Sequence, residues 1–324
     1  MVPFWPSAEL SSQPNAPGIR SSLPCWCARG SWQLCFRTAR FGLVQCCSCG
    51  CYRIDPPPLS TDDELQRFYT DYYAARENVE QIRPSNRFWR VASQIPDLAF
   101  PGECVADIGC GDGHLCAQLK SRGWERVVGV DVSRTRIAAA RRLYPNVTFY
   151  HQPLRETDVK DGTFDLMIMD NVIEHLASPQ RAIEELCRYL KPGGRLLVIT
   201  PNMESGSFRL LGRYWTPELA PDAHVFLFTR RALVNLLERA GVQAVSIGGF
   251  QPRLPAREWF GTLGQGDLKS FIWRTGQRLG TLYGRMIGSG DMTYVLCARA
   301  LEQRAAVENP VPVRNLSTCQ VLSR

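Results

Sequence analysis

Three glycines, Gly109, Gly111 and Gly113, follow an apolar run in Val105-Ala-Asp-Ile-Gly-Cys-Gly-Asp-Gly-His114. At that spacing the backbone can turn tightly and approach a ligand with no Cβ in the way. Cys110 lies inside this loop and Asp107 just before it. A second apolar run, Val127–Val130, ends at Asp131, 20 residues beyond Gly111, with Val132 next. An acid there is placed to accept hydrogen bonds from both hydroxyls of a ribose.

The nucleoside is narrowed by what the loop lacks. A dinucleotide fingerprint, G-x-G-x-x-G, would put its last glycine at position 114, which is His114. A pyrophosphate also wants an open helix N-terminus, whereas here an acid, Asp107, stands beside the loop. That suits a ligand with a cationic amino-acid end, such as S-adenosylmethionine (SAM). Asp107 is read as acting through the loop backbone or a water toward the ammonium, the alternative being an acid that stabilises the turn. Asp170 and Asn171, at the end of a later apolar run, are expected to touch the donor through backbone or to be neutral loop residues.

Four histidines are available as proton acceptors: His114, His151, His175 and His224. His175 and His224 both follow strand-like runs and are the candidates for a general base or a group that positions the acceptor, against the alternative of structural histidines. His114 is expected to pack at a helix start and His151 to end a strand. Glu174 could orient a neighbouring histidine, but is read as a solvated carboxylate.

Seven of the 13 cysteines fall between Cys25 and Cys51. Cys46-Cys-Ser-Cys49-Gly50 is a C-x-x-C-G turn that aims two thiolates at one ion, and Cys25-Trp-Cys27 lies about 20 residues upstream. Tetrahedral zinc at Cys25, Cys27, Cys46 and Cys49 is the reading, the alternative being a degenerate knuckle with free thiols. Four thiolates leave no open position for water, so such a zinc would be structural.

The elements that must hold these residues alternate. Strands are expected at Glu103–Ile108, Arg126–Asp131, Val147–His151, Phe164–Met169, Arg195–Thr200, Gln243–Gly248 and Met292–Arg299. Helices are expected at His114–Ser121, Arg134–Leu143, Pro179–Leu190 and Arg230–Ala240. This rhythm predicts an α/β, doubly wound, seven-stranded, mostly parallel sheet, with ligands at the carboxyl ends of its strands. Around it we expect a tail at 1–24, a Cys-rich knuckle-like module at 25–57 and a helical segment at 58–100, with Thr61 and Glu64 as a capping box. The catalytic domain runs over 101–302, with a helical cover at 250–290 rich in aromatic and basic residues, and a flexible tail ends the chain at 303–324.

The ordered set Val105–Gly113, Val128–Ser133, Phe164–Leu176 and Leu190–Asn202 resembles the class I SAM-dependent methyltransferases, in their small-molecule branch. The resemblance covers residues 101–250 well and 290–300 weakly. It implies that the last strand is antiparallel, that the Glu174-His175-Leu176 loop borders the methyl donor, and that His224 faces the acceptor. The family commonly places an acid after the third strand to meet adenine. Here Tyr150-His-Gln-Pro-Leu154 has none, and Gln152 or backbone near Leu154 substitutes. Members with an N-terminal C-x-x-C pair module are often linked to sugar modification, although the first pair here is C-x-C, with Cys35, Cys47 and Cys51 as spare ligands. The implied acceptor is a small molecule, first a sugar, sugar nucleotide or glycolipid for O-methylation, second a phenol or quinone. The rivals are an NAD(P)-dependent oxidoreductase and an inactive SAM-binding scaffold.

Composition bounds the rest. A net charge of +7, from 38 basic and 31 acidic residues, is spread along the chain, unlike the clustered patches of nucleic-acid binders. No apolar run approaches the ~20 residues of a membrane helix, and no signal-peptide pattern opens the chain. Cysteine usage fits a reducing cytoplasm. Peripheral membrane contact through the 250–290 segment is one reading, and core-packing aromatics with a solvated basic face the other.

Overall fold

The computed structural model describes residues 25–28, 31–39, 41–58, 61, 64, 67–68, 86–98, 101–215, 219–251 and 268–301. The expected tails at 1–24 and 303–324, the tyrosines of the 58–100 segment, and Trp259 and Phe260 lie outside the described residues.

A seven-stranded sheet forms the centre. Its strands are β4 (Cys104–Ile108), β5 (Arg126–Val130), β6 (Thr148–Tyr150), β7 (Phe164–Asp170), β8 (Leu190–Pro201), β10 (Val242–Phe250) and β11 (Met292–Arg299). The order is β10-β11-β8-β7-β4-β5-β6. Pairings among β6, β5, β4, β7 and β8 are parallel, and β11 runs antiparallel to both β8 and β10. The fold class is therefore the expected one. The inner strands are buried along most of their length, β4 except at Ile108 and β7 except at Asp165 and Asp170, which is why they read as nearly continuous apolar runs.

The helices follow from amphipathic spacing and local caps. They are α2 (His114–Ser121), α3 (Arg134–Leu143), α4 (Pro179–Tyr189) and α6 (Arg230–Arg239). Ser133 caps α3 by accepting the Arg136 N–H, and Thr229 caps α6 by accepting the Ala232 N–H, as side-chain oxygens do at helix starts. Shorter helices are α1 (Arg87–Ala92) and α5 (Gly206–Leu211), and the long α7 (Leu268–Met286) precedes β11. Of the expected capping box, Thr61 Oγ1 accepts the Glu64 N–H at 3.2 Å.

Most bounds differ from the reading of the sequence by no more than two residues, and two departures are larger. Strand β8 begins at Leu190, not Arg195, because Leu190 pairs with Phe164 before an irregularity at Lys191–Gly194. The Cys-rich segment is more than a knuckle. It forms strands β1 (Trp32–Arg37), β2 (Gly42–Cys46) and β3 (Tyr52–Asp55), joined antiparallel by β9 (Phe226–Leu227) from the far side of the chain. Its cysteines share one apolar cluster with Met167, Val198 and Leu236 of the central sheet and α6.

Candidate active site

The topology reverses between β4 and β7, so the loops after these strands border one cleft. The glycines of the first loop divide the work. A Cβ on Gly109 would lie 2.3 Å from Val172 Cγ2, and one on Gly113 2.6 Å from the Phe149 ring. Both also sit at positive φ (77° and 78°), and Gly113 caps α2 in the left-handed region. These two serve packing. Among the described residues, its chain neighbours aside, Gly111 (φ 54°) has no atom within 4 Å of its would-be Cβ, which leaves that bare face for a ligand.

Asp131 is tied into this loop. Its Oδ2 accepts the Gly111 N–H at 2.9 Å and its Oδ1 the Ser133 N–H at 2.8 Å. One carboxylate thus bridges the glycine loop and the start of α3. Burial raises its pKa against the opposing pull of those two N–H groups. Cys110 is buried behind the loop, where Gly129 leaves room for its sulfur. Val132 stands half-buried between Asp131 and Ser133.

Asp107 is 4% exposed, and its pKa is pushed up to about 8, first by burial, then by the charges of Asp170 and Asp131. Asp170 pairs with Arg87 Nε at 2.6 Å. Arg87 lies on α1, 83 residues upstream, and no spacing rule in the sequence points to it. Asn171 holds φ 57°, and its Oδ1 is buried with no hydrogen-bond partner among the described residues. An orphaned buried acceptor is uncommon and invites a ligand's donor.

The adenine side departs from expectation. Gln152 Nε2 donates to Glu156 O at 2.8 Å, and Leu154 is buried in the central apolar cluster. Both are engaged by their own turn and the core. His114 Nδ1 meets the Tyr144 hydroxyl at 2.7 Å, and His151 is half-buried after β6.

The two remaining histidines come together. The ring centroids of His175 and His224 lie 4.7 Å apart at 65°, and one ligating atom from each of Glu174, His175 and His224 falls within 4.8 Å of the others. His175 Nδ1 is 3.1 Å from Ala223 O. A carbonyl only accepts, so Nδ1 carries the proton and Nε2 keeps its lone pair. Burial lowers the His175 pKa to about 4, against the pull of that carbonyl.

Glu174 overturns the solvated reading. It is fully buried, its Oε2 accepts from Thr200 Oγ1 at 2.9 Å, and its Oε1 has no hydrogen-bond partner among the described residues. Burial, with a smaller push from Asp170, raises its pKa to about 8. Its carbonyl accepts the Val225 N–H at 2.8 Å, and Val225 O accepts the Ile54 N–H at 3.3 Å. The Cys-rich sheet therefore reaches the histidine pair through β3 and the start of β9.

In that sheet Cys25, Cys27, Cys46 and Cys49 are all buried, with their sulfurs within 4.8 Å of one another. Cys25 Sγ stands 3.5 Å from Cys49 Sγ and Cys27 Sγ 3.6 Å from Cys46 Sγ. Metal–sulfur bonds of ~2.3 Å in a tetrahedron separate sulfurs by roughly 3.8 Å, so the donor set fits zinc. A fifth thiol, Cys51, lies 3.5 Å from Cys25 and is fully buried. Hydrogen bonds from Cys25 and Cys51 hold Cys49 far toward thiolate, near 2, while Cys25 is raised by the same contact. Arg239 of α6 donates to Cys27 O and stacks over Trp26.

Comparison with known proteins gives the chain its relatives. A probable S-adenosylmethionine-dependent methyltransferase of Mycolicibacterium smegmatis is 34% identical over 44% of this chain and 52% of its own. A tRNA U34 carboxymethyltransferase of Hahella chejuensis is 31% identical over 49% of this chain and 51% of its own. The chain thus spans about half the length of these two curated relatives. A ubiquinone biosynthesis O-methyltransferase of Acinetobacter baylyi is 26% identical over 54% of this chain and 76% of its own. A solved S-adenosylmethionine dependent methyltransferase from Mesorhizobium loti aligns at 17% identity and a TM-score of 0.48, over 66% of this chain and 98% of its own. A family model described as a methyltransferase domain matches residues 81–247, just over half of the chain, and the chain belongs to that family, within the class I SAM-dependent methyltransferases.

Proposed function

We propose that this protein transfers a methyl group from SAM to a hydroxyl of a small molecule, with His224 as the base. The observation that carries the reading is the cluster of buried Glu174 and His224 with half-buried His175, on the loops that follow β7 and precede β9. A sugar, sugar nucleotide or glycolipid is the first acceptor class, and a phenol or quinone the second. The sugar class rests on the Cys-rich module, and the phenolic class on the likeness to a ubiquinone biosynthesis O-methyltransferase.

The cleft fits the donor's charge. The charges of Asp170 and Asp131 both press on Asp107, and a cationic ligand relieves that repulsion. Asn171 Oδ1 offers an unmet acceptor and Gly111 an open backbone face. SAM supplies a methyl group already activated on a sulfonium, so the chain's task is alignment and proton removal. Asp131 holds the ribose end, while Gly109, Cys110, Gly111, Gly113 and Val132 shape the loop beside it. Asp170 and Asn171 border the amino-acid end, and Gln152 and Leu154 flank the adenine through backbone. His175, kept neutral and fixed by Ala223, positions the acceptor. His224 takes its hydroxyl proton as the oxygen displaces the methyl from the sulfonium, the O–C bond forming as the S–C bond breaks and a neutral thioether leaves, and the resulting imidazolium draws Glu174 toward its carboxylate form.

In the Cys-rich module a structural zinc on Cys25, Cys27, Cys46 and Cys49 would pin β1–β3 against β9, making the module one wall of the acceptor pocket. The testing experiment is calorimetric titration of zinc-replete protein with SAM and, in parallel, NADH, followed by an acceptor screen that begins with sugar nucleotides. Micromolar SAM binding with no NADH signal and methyl transfer to a hydroxylated acceptor is expected. NADH binding without SAM binding would restore the oxidoreductase, and SAM binding without turnover on any acceptor the scaffold.

A further inference from the structure

Helix α7 packs by glycine. A Cβ on Gly280 would lie 2.6 Å from Ser207 Cα, one on Gly276 2.4 Å from Leu211 Cδ2, and one on Gly206 2.4 Å from Gly284 N. Bare backbone at 276, 280 and 284 thus seats α7 tightly on α5. The next polar layer is buried too: Asp291 Oδ2 accepts from Ser207 Oγ (2.9 Å) and Gln251 Nε2 (2.6 Å), and Gln251 Nε2 also meets Thr281.

With small residues on the packed side, the large apolar ones of α7 are left outside. Leu279, Leu282, Tyr283 and Met286 are 53%, 54%, 40% and 84% exposed. Their i, i+3, i+4, i+7 spacing puts them on one stripe. An ordinary surface helix buries such a stripe. The helix sequence carries Lys269, Arg274, Arg278 and Arg285 and no acidic residue. Arg285 is exposed at the same end as Met286.

We infer that α7 is a membrane-surface helix, which lays Leu279, Leu282, Tyr283 and Met286 into the interface of a bilayer with anionic headgroups. An apolar stripe bordered by arginines, on a helix with no carboxylate, matches that surface. A protein partner would supply acidic side chains to the arginines instead, and a second copy of this chain, itself basic at +7, would bring like charge. The helix is too polar to cross a bilayer, and among the described residues no helix is long and apolar enough to do so. The inference stands apart from the proposed acceptor, since it concerns where the protein sits and not what it methylates.

The test is cosedimentation of the full chain with vesicles of phosphatidylcholine containing about one-third phosphatidylglycerol. Binding is expected at low ionic strength, at least about tenfold weaker to pure phosphatidylcholine. The double variant Leu282→Glu plus Met286→Glu is expected to lose about tenfold or more, and Arg285→Ala about fivefold, each with an unchanged thermal midpoint. Absence of binding by the parent chain overturns the inference, and so does equal binding by parent and both variants. A parent that self-associates in sedimentation velocity, with the double variant monomeric and vesicle binding unaltered, would make the stripe a protein interface. Should the double variant misfold, Arg285→Ala alone decides.

Discussion

The two halves of the cleft are built differently. On the half proposed for the donor, the Gly109–Gly113 loop and Asp131 are held by backbone: tight φ values, an N–H to Asp131 from each side, and contacts that only a missing Cβ allows. On the half proposed for the acceptor, His175, His224 and Glu174 are held by long-range partners: Ala223, Thr200, and β3 acting through Val225. The first half is a property of a short stretch of chain. The second exists only once residues from 54 to 225 have come together. Damage to one should therefore leave the other readable.

The sharpest way to separate them is His224→Ala. We expect turnover to fall by about 10²–10⁴-fold, the usual contribution of a positioned base, with SAM affinity unchanged by calorimetry. If both fall together, the histidine pair is part of the donor site or of the core, and the division is wrong. The next largest effect is expected from Cys46→Ser plus Cys49→Ser. Loss of the thiolate cluster should lower stability by about 2–4 kcal/mol and the thermal midpoint by roughly 5–10 °C. Below that midpoint, acceptor turnover should suffer more than SAM binding. An unchanged midpoint, before and after chelation, would mean the thiols hold no metal.

That same contrast decides what the sequence could reveal. Helices α2 and α3 were legible to the residue, because apolar spacing and a Ser133 cap are local signals. The glycine loop was legible because its backbone demand is local as well. The strands of the Cys-rich sheet leave only the alternation of Trp32, Leu34 and Phe36, a signal shorter than the cysteine spacing beside it, which points to metal alone. Strand β9 is two residues long and forms only because β3 arrives beside it. Arg87 on Asp170, and the burial of Glu174, are set by packing across many tens of residues. Neither leaves a mark in the neighbouring sequence.

On the donor half, Asp131→Ala should weaken SAM binding by about 1.5–3 kcal/mol if charge-assisted bonds to the ribose are lost. The Gly111 and Ser133 N–H groups lose their acceptor in the same step, so Asp131→Asn is the control. It keeps one acceptor and should recover part of the loss. Equal affinity for the parent and Asp131→Ala removes this residue from the site.

The smallest effect, and the one that reads both halves at once, is in pH. Asp107 and Glu174 titrate near 8 in the folded protein, well above their ordinary 3.8 and 4.5. For an acid raised in this way, the folded state holds its proton longer than the unfolded state. The stability it contributes is full below pH ~4 and is lost as pH climbs toward 8. A cationic donor beside Asp107 favours the carboxylate, so SAM binding should release a proton and tighten by up to about tenfold per unit between pH 6 and 8. Titrations in two buffers of different ionisation enthalpy count that proton. Asp107→Asn should abolish the release and flatten the affinity profile, whereas Glu174→Gln should leave both intact and flatten only the fall in stability. A release that survives Asp107→Asn but vanishes in Glu174→Gln would put the donor's charge on the histidine side, and the two halves would have to be exchanged.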